Sequence, residues 1–248
     1  MSWIAVLLIG VAVADLAHSI RPIPVVNELT GAAVAVWVGL LAGLTDWPDL
    51  LALVVIAILV VLWGQTVTRA FSRRDVWGPA WAPLLVLGGG LALGILCSAW
   101  ASHAGGLLAD WLEATQVPAL RGVSADRFLL LAGAFLVMLS TGNVLVRLVL
   151  ATTGTTNPMV FDTPEDPEQR LKGGRLLGPM ERVLILGLGL TGHLTAASIV
   201  IAGKGLLRWP ELQSKTEQQW IHRLTEYFLV GSFVSWLVAL GSLVLLAR

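Results

Sequence analysis

The fold is decided by residues 50–68, which read LLALVVIAILVVLWGQTVT. This stretch contains no Asp, Glu, Lys or Arg, and an α-helix needs about 20 mostly apolar residues to cross a lipid bilayer. Over the whole chain only 13% of the residues are charged and 56% are hydrophobic, which leaves too little polar surface to cover a water-soluble core. The sequence therefore predicts a membrane protein whose outer surface is solvated by lipid.

Similar apolar segments flank this stretch on both sides. Pro22 and Pro24 separate the first two segments, and Pro48 separates the second from the third, because proline lacks an amide donor and clashes with the preceding helical turn. We expect an all-α, polytopic transmembrane helix bundle that forms one domain over residues 1–248. Its segments, about seven in number, are predicted at residues 3–19, 26–44, 50–68, 81–101, 127–150, 181–203 and 227–247.

Other stretches are assigned by their polarity. Only Met1 and Ser2 precede the first apolar run, without the basic residues of a secretory signal, so we interpret that run as the first membrane helix. Residues 103–118 place Leu107 and Trp111 on one helical face, which predicts an amphipathic helix lying on the membrane surface. Residues 152–178 combine prolines with acidic residues and are predicted to be a polar cytoplasmic loop.

The distribution of positive charge leaves the path of the sixth segment open. Basic residues follow the third and fifth segments, and cytoplasmic loops are usually the basic ones. Seven simple spans would then force the basic loop around Lys204 and Arg208 to the outside, against this rule. Either the sixth segment enters the membrane and returns, with its break in the glycine-rich residues 187–192, or the rule fails at this late loop.

Several classes of function are excluded by composition and spacing. The formal net charge is zero and no basic run is interleaved with aromatics, so we do not expect nucleic-acid binding. Cys97 is the single cysteine, and the histidines lack the spacing of metal ligands, so no disulfide or metal site is predicted. Residues 187–192 match G-x-G-x-x-G, but the strands and helices of a dinucleotide-binding fold do not follow, and no cofactor is predicted.

The best single candidate for a functional residue is His193. If the sixth segment is one helix, Arg182, His193 and Lys204 are spaced by about three turns and share one face. An imidazole near the middle of the membrane is costly and usually faces a cavity or a bundle interior. The alternative is a purely structural role, in which His193 bonds to another helix while Arg182 and Lys204 reach opposite interfaces.

Other ionisable residues at helix ends are further ligand or transport candidates. Glu181 begins the sixth segment, where the helix dipole favours an acid. Arg147, four residues after Asn143, is interpreted as an anion ligand or as a membrane anchor. Asp15 and His18 lie three residues apart on one face of the first segment and can form an ion pair or handle protons.

The C-terminal third contains four stretches that match a known family pattern, namely Gly174–Gly178, Glu181–Arg182, Ala202–Arg208 and Glu226–Ser232. Through these residues it resembles an uncharacterised family of bacterial multi-pass membrane proteins, a family with a domain of unknown function. The resemblance implies the membrane architecture and highlights Glu181, Arg182, Lys204, Arg208 and Glu226, but it implies no reaction. In that family the middle of the sixth segment is a leucine-rich run that ends in glycine-glutamine, whereas His193 follows Gly192 here.

Function remains divided among three classes. We expect an accessory or scaffold subunit of a membrane complex, because small residues favour helix packing and no catalytic constellation is present. A transporter or channel component is the first alternative, resting on His193 and the glycine-rich interruption. The second is a membrane-embedded enzyme acting on lipid or a lipid-linked substrate at Glu181, Arg182, Lys204 and Arg208. The expected location is the bacterial cytoplasmic membrane, with lipids and membrane proteins as partners.

Overall fold

A computed structural model of the chain describes residues 1–71, 79–156, 174–213 and 218–247. In these residues the secondary structure is helical, with ten α-helices, two short 3-10 turns and no strand, which confirms the all-α prediction. The helices are α1 (Ser2–Ile20), α2 (Pro24–Leu41), α3 (Trp47–Ala70), α4 (Trp81–Leu96), α5 (Gly106–Ala114), α6 (Ala125–Leu139), α7 (Thr141–Thr152), α8 (Gly174–Leu190), α9 (Leu194–Gln213) and α10 (Gln218–Leu246).

Fewer helices are long and apolar enough to cross a membrane than the seven predicted. Among the described residues, four pass by length and composition, namely Ser2–Ile20, Pro24–Leu41, Trp47–Ala70 and Thr225–Leu246, or five if α6 and α7 are counted as one bent span. The fourth predicted segment falls short because α4 has only 16 residues. The sixth falls short because it is divided into α8 and α9.

The chain forms two compact units. Unit 1 comprises Met1–Arg69 and Ala82–Thr141, and α1 is its central helix, packed against α2 and α6. In an apolar 18-residue window of each helix, 61% of the α1 residues are buried inside the protein, against 22% of the α3 residues, so α3 is the less enclosed of the two helices. Small residues let α1 and α2 approach closely, since a Cβ at Gly31 would lie 2.5 Å from the carbonyl oxygen of Gly10.

Unit 2 comprises Ala70–Trp81 and Gly142–Arg248, and α8 is its centre. This helix packs against both α9 and α10. Arg182 donates a hydrogen bond to Ser235, and Gly189 packs against Leu243, so α8 and α10 run in the same direction. The side chains of Val146 and Leu150 lie beside Gly231, which places α7 against α10 as well.

A left-handed glycine ends α8 in the middle of the sixth segment. Gly192 has a φ of 79°, a region that favours glycine because it has no Cβ. The N–H of His193 donates to Leu188 O at 2.8 Å, and the N–H of Gly192 donates to Gly189 O at 3.1 Å, which is the bond pattern of a Schellman C-cap. The break lies at residues 191–193 and overlaps the stretch in which the re-entrant alternative placed it.

The chain turns back at this break. In one continuous helix Glu181 and Lys204 would lie about 35 Å apart along the axis. In the structure their side chains are joined at 2.5 Å, so α8 and α9 form a helical hairpin with residues 191–193 at its tip.

The structure describes parts of two other predicted stretches. The amphipathic stretch 103–118 contains α5 over Gly106–Ala114, with Leu107 and Trp111 exposed as an interfacial helix requires; its place on a membrane surface stays a prediction. Of the predicted polar loop 152–178, residues 157–173 lie outside the described residues, and its last residues are helical because α8 begins at Gly174.

Candidate functional site

The site is built around Glu181 on α8, whose side chain is 4% exposed. Its carboxylate accepts a hydrogen bond from Lys204 Nζ on Oε2 at 2.5 Å and from Trp236 Nε1 on Oε1 at 2.7 Å. The hairpin supplies Lys204 from α9, and α10 supplies Trp236. Both carboxylate oxygens are therefore paired within unit 2.

The next residue, Arg182, is buried more deeply, with 1% of its surface exposed. Its Nη2 donates to Asn143 Oδ1 at 2.7 Å, and its Nη1 donates to Ser235 Oγ at 3.1 Å. Gly142 leaves the room for the guanidinium, because a Cβ there would lie 2.5 Å from Arg182 Nε. Helices α7, α8 and α10 thus enclose a buried cation at the residue that follows Glu181 in the chain.

Lys204 is the most accessible charged member of the group. Its side chain is 15% exposed, and its Nζ lies 5.9 Å from the centre of the Phe228 ring, a distance at which the ring face attracts a cation. We call Glu181, Arg182 and Lys204, with Asn143, Ser235 and Trp236, the buried ion cluster.

The cluster lies well inside a candidate membrane span. Its partners Ser235 and Trp236 fall at the middle of Thr225–Leu246. Ionised side chains at such a depth are costly unless they are paired, and in membrane proteins they usually mark substrate paths, ion paths or proton relays. The buried ion cluster is therefore the leading candidate site in the part of the chain that the structure describes.

Of the other predicted site residues of unit 2, His193 and Glu226 lie away from the cluster. His193 lies at the hairpin tip, exposed, with its Nδ1 3.1 Å from Thr191 Oγ1, because the helix that would carry it inwards has ended. Glu226 is exposed, and Lys204 pairs with Glu181. Arg147 is partly buried on α7. The side chain of Arg208 lies outside the described residues.

In unit 1, Asp15 and His18 do not pair with each other. Asp15 accepts hydrogen bonds from Trp63 Nε1 at 3.0 Å and from Thr141 Oγ1 at 2.7 Å. The exposed His18 has its Nδ1 3.4 Å from Asn27 Nδ2. The predicted pair is thus a carboxylate facing the unit's interior and a separate surface imidazole.

Sequence reasoning missed two buried carboxylates of unit 1. Glu28 is 3% exposed and accepts from Gln65 Nε2 at 2.6 Å, and Asp49 is fully buried and accepts from Trp3 Nε1 at 2.7 Å. One oxygen of each, Glu28 Oε1 and Asp49 Oδ2, has no hydrogen-bond partner among the described residues. The available signal was an acid within a predicted span, residues 26–44 for Glu28.

Within the described residues, no group of three or more His, Cys, Asp and Glu side chains is arranged to hold a metal ion. Comparisons with known proteins add no relative: no protein-family model, no curated protein and no solved structure matches the chain. The fold class supported by these observations is a helical protein with several helices able to span a membrane, and its family resemblance stays a prediction.

Proposed function

We propose that this chain is a component of a membrane transport system, a transporter or channel subunit, in which an ion or charged solute passes the buried ion cluster. One observation carries the proposal: Glu181, Arg182 and Lys204 are brought together near the middle of a candidate span by a broken helix. Transport sites are commonly built where a membrane helix is interrupted, because charged side chains and helix ends can then meet inside the bilayer.

The hairpin also supports a consistent topology for this proposal. If α8 enters the membrane and α9 leaves it on the same side, the basic residues that precede and follow the sixth segment share one face. That arrangement agrees with the preference of basic loops for the cytoplasm. We propose that the protein lies in the cytoplasmic membrane of a bacterium, surrounded by lipids; the charge distribution supports the cytoplasmic orientation and the family resemblance suggests the bacterial membrane.

A scaffold or accessory subunit is the second candidate. Among the described residues, the buried polar atoms without a hydrogen-bond partner include neither carboxylate oxygen of Glu181. They also include no atom of Arg182 or Lys204. A network in which each buried polar atom has at least one partner is also what a purely structural contact between helices requires. In that case the cluster would fix the docking of α8, α9 and α10 so that another membrane protein can bind.

We do not propose an enzymatic role. Basic residues do converge on a carboxylate, as a headgroup site on lipid would need, but Glu181 and Arg182 are 4% and 1% exposed. Both side chains are therefore enclosed within unit 2, where a lipid headgroup would not reach them directly.

A flux experiment separates transport from scaffolding. The full chain is reconstituted in liposomes that contain a pH-sensitive dye, and proton flux and uptake of labelled inorganic phosphate are followed under an imposed potential. We expect flux above protein-free liposomes for at least one probe, with Glu181→Gln and Lys204→Met slowing it about tenfold or more. His193→Ala is the matched control and should keep the flux, because its side chain lies outside the cluster.

Flux that survives both cluster variants would contradict the transport proposal. Absence of flux for both probes in the intact protein, together with loss of thermal stability in the cluster variants, would favour the scaffold.

A further inference from the structure

The Lys204 ammonium has more hydrogen-bond donors than the described protein uses. An ammonium carries three N–H donors and no acceptor. Among the described residues, Glu181 Oε2 is its hydrogen-bond acceptor, and Phe228 presents a ring face 5.9 Å away. A ring face attracts the positive charge but does not replace an oxygen acceptor. The other two donors have no oxygen acceptor within the part of the chain that the structure describes.

The exposure of the three charged side chains determines which chemical groups can bind to the cluster. Glu181 and Arg182 are enclosed, at 4% and 1% exposed, whereas the Lys204 side chain is 15% exposed. Lys204 is therefore the charged side chain of the cluster that a ligand can reach with the least rearrangement of the described residues. Carboxylate and phosphate oxygens are strong acceptors for an ammonium and make shorter, stronger bonds than neutral groups do.

We infer that Lys204 is the binding point of an oxyanion, a carboxylate or phosphate group held by the two donors that are not directed at Glu181. The binding site itself does not depend on the proposed function. The inference rests on that function only where it identifies the oxyanion as the class of solute that the transport path recognises. A phospholipid headgroup offers the same phosphate chemistry as a free solute, so both sources are tested.

Glu181 acts as the resident competitor of this ligand. It holds Lys204 at 2.5 Å and supplies a negative charge next to the binding point, which repels an incoming anion. Replacing Glu181 with Gln removes that charge while keeping an amide oxygen that can still accept from Trp236 Nε1. The ligand should then bind more tightly, an effect that a merely structural ion pair does not predict.

The test measures binding at equilibrium with the full chain. In one arm, inorganic phosphate is titrated by calorimetry into protein in neutral detergent. In the other, retention of phosphatidylglycerol over phosphatidylcholine is measured by native mass spectrometry of protein released from nanodiscs. The variants are Lys204→Met, Glu181→Gln and, as a control that removes an exposed positive charge from unit 1, Arg121→Met.

We expect Lys204→Met to weaken binding about tenfold or more, because a hydrogen bond to a charged group is lost. Glu181→Gln should tighten it, and Arg121→Met should leave it unchanged. Binding of free phosphate assigns the site to a solute, and selective retention of phosphatidylglycerol alone assigns it to a lipid headgroup.

Equal affinity and equal retention in wild type, Lys204→Met and Glu181→Gln, including no binding in any of them, overturns the inference. If Lys204→Met does not fold, Glu181→Gln decides: tighter binding supports the oxyanion site and unchanged binding overturns it. This test measures binding and not flux. If the protein binds phosphate here but shows no flux in the liposome experiment, the proposed function is refuted and the binding site still stands.

Discussion

At the scale of single residues, the buried ion cluster depends on mutual compensation of charge. Water is largely excluded from Glu181 and Arg182, so each charge is stabilised by its neighbours and by the donors and acceptors of Asn143, Ser235 and Trp236. Removing one partner of such a pair leaves an uncompensated charge in a medium of low dielectric constant. Removing both partners leaves two neutral groups, which costs less free energy than the two single removals added together.

This gives a test by double-mutant cycle. Glu181→Gln and Lys204→Met should each lower the free energy of unfolding by about 3 kcal/mol, and the double variant should lose at least about 1 kcal/mol less than the sum. Denaturant unfolding in detergent micelles measures all of them. Glu226→Gln, at an exposed position, is the control and should change stability by less than about 0.5 kcal/mol. Strict additivity of the two cluster variants would argue against a coupled pair.

The sequence could predict the three charged members of the cluster but not their pairing. Glu181, Arg182 and Lys204 stand out because they flank an apolar segment. On a single helix, however, Lys204 would lie far from Glu181. Trp236 carries no such signal, since an indole inside an apolar helix is indistinguishable from a core residue until its N–H partner is known.

At the scale of helices, the decisive feature is the end of α8 at Gly192. Hydropathy marks residues 181–203 as apolar, and it has the same value whether the chain continues or turns back. The glycine-rich stretch indicated where a break was possible, but the choice depends on a positive φ at Gly192 and on the bonds that cap α8. Composition alone does not determine such geometry.

Replacing Gly192 with alanine should therefore weaken the hairpin. A Cβ in the left-handed region costs about 1 kcal/mol or more, and this loss should appear in the free energy of unfolding. Gly187→Ala is the matched control, because Gly187 is helical with open space around it, and alanine there should be neutral or stabilising by up to about 1 kcal/mol. Equal effects of the two substitutions would contradict the assigned role of Gly192.

At the scale of the whole molecule, the prediction of about seven spans failed through helix breaks and one short helix. Residues 127–150 are divided at Ser140, and residues 181–203 are divided at the hairpin tip. The all-α class was predictable because apolar content fixes it. The number of crossings was not, because it depends on how each break is oriented.

The sidedness of the hairpin can be measured by cysteine labelling. In a Cys97→Ser background, single cysteines replace Gly174 at the start of α8, Gln213 at the end of α9, and Ala247 after α10. A membrane-impermeant reagent added from either side should label the first two from the same face and Ala247→Cys from the other. Labelling of the first two from opposite faces would restore a crossing sixth segment.

The central claim is that the sixth segment turns back and so brings Glu181 to Lys204. The most direct test is a pulsed electron paramagnetic resonance distance between spin labels at Leu176 and Leu206, which are 73% and 75% exposed and should tolerate labels. Packed helices lie about 8–10 Å apart, so the hairpin predicts a label separation below about 25 Å. A single continuous helix would separate these positions by about 45 Å, and a distance near that value would contradict the hairpin and the ion cluster together.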